Sequence, residues 1–380
     1  MLSFWTSEEV FFDGDQYFDR MLKDIEEAQT YITVEMYIFN DDVLGRLLTE
    51  KLIAAHSRGV KVQLIVDGVG SYAFFDKLHK YLSQNGVMIK MYNPLPFYHP
   101  YYGDLTLIRR LQVMFIRIMR VNKRNHRKII TIDSHIMYTG SFNVTVEHTH
   151  HHTEIAWKDI GVRVTGDQVR FTVLNFKKIW KLRDYYRYKR QIKSFQSPNW
   201  RYAPLRLNQT VFMKRYFYKS FLNKINHSQK RIWFMTPYFI PKRRLIRALG
   251  KAAKRGVDVK IIISFKTDVP MFRTLQYFYY DYLLKKGVKV YQYTDSVLHA
   301  KNYIIDDWMT IGSTNLNHRS FMHDLEVDLI IQDEKNMRII EQNFIESTSN
   351  KNSISIEALN ERPFLDRILC RLFFLFKYWF

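Results

Sequence analysis

The chain carries a single cysteine, Cys370, among 380 residues. That excludes an internal disulfide framework and fits a reducing compartment. Acids are also scarce: 37 Asp and Glu stand against 58 Lys and Arg, leaving a formal charge of +21. The imbalance says nothing of fold, but it selects polyanionic partners, either nucleic acid or anionic lipid headgroups. No run of 18 uncharged apolar residues occurs, so no transmembrane helix is expected. Met1 to Phe12 contains Glu8 and Glu9 and lacks a basic stretch ahead of an apolar run, so no signal peptide is expected there. If this protein meets a membrane, it lies on it. What is plentiful is apolar (47%) and aromatic (16%). That is the composition of a folded chain long enough for two domains, with aromatics suited to base stacking or a membrane interface.

The chain repeats itself. Arg58-Gly59-Val60-Lys61-Val62 leads into Leu64-Ile65-Val66, and Arg255-Gly256-Val257-Asp258-Val259 leads into Ile261-Ile262-Ile263. Each reads as a helix stopped by glycine, then a buried strand. Gly86-Val87-Met88-Ile89 matches Gly287-Val288-Lys289-Val290, and the two offsets are 197 and 201 residues. Strands alternating with helices predict α/β units, here duplicated. We expect an N-terminal domain over 1–195, a C-terminal domain over 209–350 and an amphipathic tail over 351–380. The divide falls where Ser197-Pro198-Asn199 and Ala203-Pro204 interrupt the pattern. Val169, Val173, Phe176 and Trp180 form one face of a helix that the basic stretch to Arg190 is expected to continue.

Each half holds the same constellation. His126 and Lys128 are followed by Asp133, and His299 and Lys301 by Asp306, both as H-x-K-x4-D. Next come Gly140-Ser141-Phe142-Asn143 and Gly312-Ser313-Thr314-Asn315, and later an acid after an apolar stretch, Asp159 and Glu326. On a strand, residues two apart share a face, so each His and Lys enter one pocket together. Imidazole attacks or protonates near neutral pH, and ammonium balances charge on phosphoryl oxygens. Ser141, Asn143, Ser313 and Asn315 are expected to donate to the phosphate. Asp159 and Glu326 are expected behind the imidazoles, holding their tautomers. One His-x-Lys pair is an ordinary surface feature; two copies at matching places in a repeat point to a symmetric site.

With these motifs the chain resembles the phospholipase D superfamily and, within it, the shorter, peripheral bacterial cardiolipin synthases that lack N-terminal transmembrane helices. Supporting stretches include Gly14-Asp15-x-x-Phe18, Glu35-Met36-Tyr37-Ile38-Phe39, Thr236-Pro237-Tyr238 and Arg319-Ser320-Phe321. The resemblance implies two α/β/α sandwiches about a pseudo-two-fold axis with the site between them. It implies a phosphatidyltransferase needing no metal or other cofactor and joining two phosphatidyl groups onto one glycerol. Substrates would be phosphatidylglycerol, with phosphatidylethanolamine or cardiolipin as further candidates. It makes His126 the nucleophile and His299 the general acid and base, with Lys128, Lys301, Asp133 and Asp306 completing the catalytic set. A hydrolytic phospholipase D or a nuclease of the same superfamily are the alternatives. One departure is local: the family often has Asn-Ile-Gly-Asp-Glu-Tyr after the first motif, where this chain has Asn143-Val144-Thr145-Val146-Glu147.

From Gly86 to His126 is 40 residues, whereas Gly287 to His299 is 12. The first half therefore carries an insertion, placed at about 93–122. Leu107, Ile108, Leu111, Met114, Phe115, Ile118 and Met119 recur at helical spacing, with Arg109, Arg110, Arg117, Arg120, Lys123 and Arg124 between them. A basic amphipathic helix of this kind suits an anionic bilayer. Arg109, Arg110, Leu111, Phe115, Arg117, Ile118 and Arg120 are its expected membrane contacts, at the cytoplasmic face of the cell membrane. Nucleic-acid grooves more often combine Arg and Lys with Gly, Ser and scattered aromatics, which disfavours that partner. The tail from Phe364 to Phe380 is too short to span a bilayer and either docks on the domain or anchors at the interface. His148-Thr149-His150-His151-His152 is expected to be a polar loop at the site mouth, because neighbouring residues diverge and chelate one ion poorly.

Overall fold

β-Branched runs flanked by glycine stops become the central strands of two sheets. The computed structural model describes residues 4–98, 106–181, 203–267, 270–348 and 353–361. The first sheet contains β1 (Ser7–Phe11), β2 (Tyr31–Met36), β3 (Lys61–Asp67), β4 (Met88–Tyr92), β5 (Lys128–Ile132), β6 (Ile136–Gly140) and β7 (Gly161–Thr165). Its order is β1-β7-β6-β5-β2-β3-β4. The second contains β8 (Leu205–Leu207), β9 (Arg231–Thr236), β11 (Asp258–Lys266), β12 (Lys289–Val297), β13 (Asn302–Ile305), β14 (Trp308–Gly312) and β16 (Val327–Ile330), in the order β12-β11-β9-β13-β14-β16-β8. Read from β4 and from β12, the two sheets have one topology: two parallel pairings, then four antiparallel ones. The small strands β10 (Phe239–Ile240) and β15 (Leu316–Asn317) pair separately. β8 lies in the stretch expected to divide the halves and pairs with the second sheet.

Helices α1 (Gly14–Glu27) and α2 (Val43–Ser57) cover the outer face of the first sheet, packing Phe18, Met21, Leu48 and Leu52 against β2 and β3. α6 (Val211–His227) and α7 (Arg243–Lys254) belong to the corresponding core of the second. Gly59 and Gly256 end α2 and α7 at φ +97° and +90°, a conformation where a Cβ would be strained. Between the sheets, Ile129, Met137 and Val162 from the first meet Trp233, Met309 and Val327 from the second in one shared core. The other helices are α3 (Phe75–Gln84), α4 (Leu107–Ile118), α5 (Val169–Trp180), α8 (Pro270–Lys285), α9 (His318–Met322), α10 (Glu334–Glu346) and α11 (Ile356–Asn360).

α4 forms in the insertion as its spacing predicts. α5 buries Val169, Val173 and Phe176 as expected and ends at Trp180; its expected continuation to Arg190 lies outside the described residues, as does the tail from Phe364. No helix among the described residues is long and apolar enough to cross a membrane.

Candidate active site

Two bridges bring the halves together at the motif strands. Asn125 pairs with Leu325, and Lys158 with Leu298. His126 N–H donates to Leu325 O at 2.9 Å, and His299 N–H to Lys158 O at 2.8 Å. Each motif histidine is thus tied to the segment holding the other half's acid. The side chains follow the same exchange. His126 Nδ1 lies 3.0 Å from Glu326 Oε2 and 3.0 Å from Ser313 O; His299 Nδ1 lies 2.7 Å from Asp159 Oδ2. A carbonyl oxygen only accepts, so Nδ1 of His126 carries the proton and Nε2 keeps its lone pair. The sequence pairs each acid with its own repeat; the structure crosses them.

Lys128 and Lys301 are buried and donate Nζ to the carbonyls of His126 (2.7 Å) and His299 (2.6 Å). Burial, and then the charge of Lys301, pushes Lys128 down to about 7. Burial also carries His126 well below its ordinary value, helped by the positive charges of Lys128 and Lys301. His299 is lowered for the same reasons, against the opposing pull of Asp159. Both imidazoles are therefore neutral at pH 7. Asn143 and Asn315 add a buried amide on each side, and the Oδ1 atoms have no protein partner. Tyr37 packs edge-on against His126 at 4.7 Å, with Lys128 Nζ 5.1 Å from its ring centre.

The acids differ. Asp159 stays ionised: burial opposes its charge, but His299 and His148 hold it well below the usual carboxylate range. Burial instead pushes Glu326 up to about 7, with Lys128 pulling against it.

Several expected residues are placed elsewhere. Asp133 and Asp306 sit at the far ends of β5 and β13, roughly 20 Å of strand from their histidines. Asp133 accepts from the backbone N–H groups of Gln29, Thr30 and Tyr31 (2.7–3.0 Å), and Asp306 from Gln229, Lys230 and Arg231 (2.8–3.0 Å). Burial disfavours their charge, but these donors outweigh it and keep both carboxyls low. They turn the chain at φ +52° and +51°, which Asp tolerates, so their part is structural. Ser141 and Ser313 give their hydroxyls to Asp159 and Glu326, not to the space between the histidines. Arg117 turns inward, with Nη1 on Leu95 O (3.5 Å) and Tyr98 O (3.3 Å), and Arg124 is buried against Asp67. Neither faces a membrane. Arg109, Arg110, Leu111, Phe115 and Ile118 are exposed, and Arg120 is half-buried.

Sequence reasoning missed an inner shell. Glu35 accepts from Asn125 Nδ2 (2.8 Å) and Arg127 Nη1 (3.4 Å), bracketing His126 from behind. His148 leaves the exposed histidine run and is fully buried, its Nδ1 3.0 Å from Asp159 Oδ2. His148, Asp159 and His299 are a group that could in principle ligate an ion. Their 2.7 and 3.0 Å separations are hydrogen-bond distances, however, and two ligands at about 2.0–2.2 Å in tetrahedral array stand farther apart. The only hint in the sequence was the departure after Asn143.

Residues 21–167 and 221–348 match the family described as cardiolipin synthase, PLD-like domain. Cardiolipin synthase B of Escherichia coli (strain K12) is 32% identical over 326 residues, covering 84% of this chain and 75% of that protein. Cardiolipin synthase 2 of Staphylococcus epidermidis is 31% identical over 365 residues, covering 94% and 71%. Among solved structures, phosphatidylserine synthase of Haemophilus influenzae Rd KW20 superposes with a TM-score of 0.69 at 14% identity, over 98% of this chain and 95% of that one. At that identity the likeness speaks for the fold alone.

Proposed function

The chain belongs to the cardiolipin synthase family of phospholipase D-like enzymes, and on that premise we propose that it moves a phosphatidyl group from one phosphatidylglycerol to the glycerol hydroxyl of another, releasing glycerol. The observation that carries the chemistry is the crossed pair of dyads around two buried lysines. His126 Nε2 attacks phosphorus; the Nε2–P bond forms and the bond to the leaving glycerol oxygen breaks. His299 takes up a proton as the phosphodiester anion enters, keeps Nδ1–H on Asp159, and gives the added proton from Nε2 to that oxygen. In the second half, His299 takes the proton of the acceptor hydroxyl as its oxygen bonds to phosphorus, and His126 leaves. Lys128 and Lys301, with Asn143 and Asn315, meet the charge on the non-bridging oxygens, the work a divalent ion does in other phosphoryl enzymes. Activity is accordingly expected to persist in excess EDTA.

The proposed place of work is the cytoplasmic face of the cell membrane. Leu107, Ile108, Leu111, Phe115, Ile118 and Met119 are between 47% and 73% exposed along α4, an apolar face that supports bilayer contact. α4 directly precedes His126, which favours delivery of a phosphodiester from the headgroup layer, since drawing acyl chains into water costs about 0.8 kcal/mol per methylene. The test is purified protein with phosphatidylglycerol vesicles, alone or with phosphatidylethanolamine, and products identified by mass. Cardiolipin with released glycerol supports the reading. Phosphatidic acid alone would make the enzyme a hydrolase.

A further inference from the structure

The two half-sites part company five residues after each motif asparagine. In the second half that position is Ser320, a small hydroxyl beside Glu326. In the first half it is His148, with no exposed surface. His148 Nε2 accepts from Asn143 N–H at 3.3 Å, so the imidazole's own proton is on Nδ1, facing Asp159 Oδ2 at 3.0 Å. Asp159 accepts from three donors, Ser141 Oγ, Ile160 N–H (2.9 Å) and His299 Nδ1 (2.7 Å), and His148 Nδ1 stands 3.0 Å from its Oδ2 at ion-pair distance without hydrogen-bond alignment. Glu326 has the serine and the histidine, and its Oε1 lacks a partner.

The loop is built to hold His148 there. Asp15 accepts from the backbone N–H groups of His150 (2.9 Å) and His151 (3.3 Å). Gly14 lets α1 approach so closely that a Cβ would lie 1.8 Å from His148 O. Phe142 and Trp157 press edge-on against the ring at 5.5 and 5.3 Å, and His299 lies 5.3 Å away. The charged and titratable groups around Asp159 are His148, His299, Tyr17 and Lys128, with Lys301 acting on His299.

We propose that His148 is a positioning residue that keeps Asp159 an ionised, oriented acceptor for His299, and so makes the C-terminal histidine the partner that carries the proton. This rests on the proposed two-step transfer. With a second imidazole packed 3.0 Å from it, the carboxylate is held in place and kept from taking up the proton itself. His299 keeps Nδ1–H on Asp159 and turns Nε2 to the reacting oxygens. At the Ser320 position Glu326 has a hydroxyl in place of a second imidazole, which suits a histidine that needs only a free lone pair.

The test compares wild type, His148→Ser and His148→Asn on two substrates: bis(4-nitrophenyl) phosphate, and phosphatidylglycerol vesicles. His148→Ser should slow turnover about 10- to 100-fold on both, the usual cost of losing such a support. The lower of its two acidic steps, set by Asp159 beneath that of Glu326, should move to higher pH, because Asp159 without His148 beside it holds a proton more readily. His148→Asn, which restores an N–H near Nδ1, should recover most of the rate. The adduct should stay on His126 in all three. An unchanged rate and pH profile in His148→Ser would overturn the proposal. So would equal loss in both variants with no movement of the profile, which would make His148 a packing residue. Turnover of the soluble diester without any lipid product would instead refute the phosphatidyl-transfer reading and leave this inference standing.

Discussion

Asp159 and Glu326 occupy matching places in two sheets of one topology, yet a second imidazole stands 3.0 Å from the one and a serine hydroxyl beside the other. The backbone was duplicated faithfully enough to bring each acid behind the other half's histidine. The difference is made by a few side chains around it: His148 against Ser320, Arg127 against Ala300, Tyr37 against Trp157. A symmetric fold thus brings two imidazoles together in unlike surroundings, and in the proposed mechanism those neighbours separate a proton carrier from a nucleophile.

That contrast can be broken most severely at the acids. Asp159→Asn should cost roughly a thousandfold or more in turnover, as when a buried carboxylate behind a catalytic histidine is neutralised. Glu326→Gln should cost only about 10- to 100-fold, since that carboxyl titrates near 7 and its amide still accepts from Nδ1–H. Equal losses would erase the distinction. The pH dependence sharpens it: wild-type kcat/KM should fall as pH drops through about 7, where Glu326 takes a proton, and Glu326→Gln should lack that step. Lys128→Met should abolish transfer but raise the melting temperature. Lys128 is held at about 7 when folded and 10.5 when free, so unfolding takes up a proton between those values and stability rises with pH across them. The gain from its removal should be largest near pH 6 and vanish near pH 10. A melting temperature that falls at pH 6 would refute the claim that the buried lysine is strained.

A gentler comparison sets α4 against the half that lacks it. Leu111, Phe115 and Ile118 changed together to Ser should weaken binding to anionic vesicles and turnover on them, while sparing bis(4-nitrophenyl) phosphate. Stability should move little, because all three are exposed. Replacing Arg109 and Arg110 should have a smaller effect, visible mainly at low salt. Wild-type binding by both variants would return α4 to an intramolecular role.

Much of this was legible without coordinates. The glycine stops at Gly59, Gly86, Gly256 and Gly287 marked the repeat, and the structure gives all four positive φ. His-x-Lys spacing was read as strand alternation, but His126, His299 and Lys301 lie just ahead of their strands, and each lysine instead turns back to donate to its own histidine's carbonyl. What escaped depends on contacts between the halves. Nothing in the order of residues shows that Asp159 serves His299 and Glu326 serves His126, since the crossing arises when two sheets dock. Asp133 and Asp306 belong to the motif by spacing, but a strand is rigid and long enough to carry them away from the reaction. Arg117 sits among membrane-facing residues in sequence and turns inward because loop carbonyls at Leu95 and Tyr98 need a donor. His148 looked like one of a surface run until the approach of Gly14 buried it.

The central claim is that two alike histidines hold unlike roles, and the adduct tests it directly. Phosphatidylglycerol is incubated with His299→Ala and with His126→Ala, each quenched under alkaline conditions and mapped by peptide mass. The account predicts a phosphatidyl group on His126 that accumulates in His299→Ala, where nothing deprotonates the acceptor, and no adduct in His126→Ala. An adduct on His299 in the His126→Ala protein, formed at a comparable rate, would contradict it.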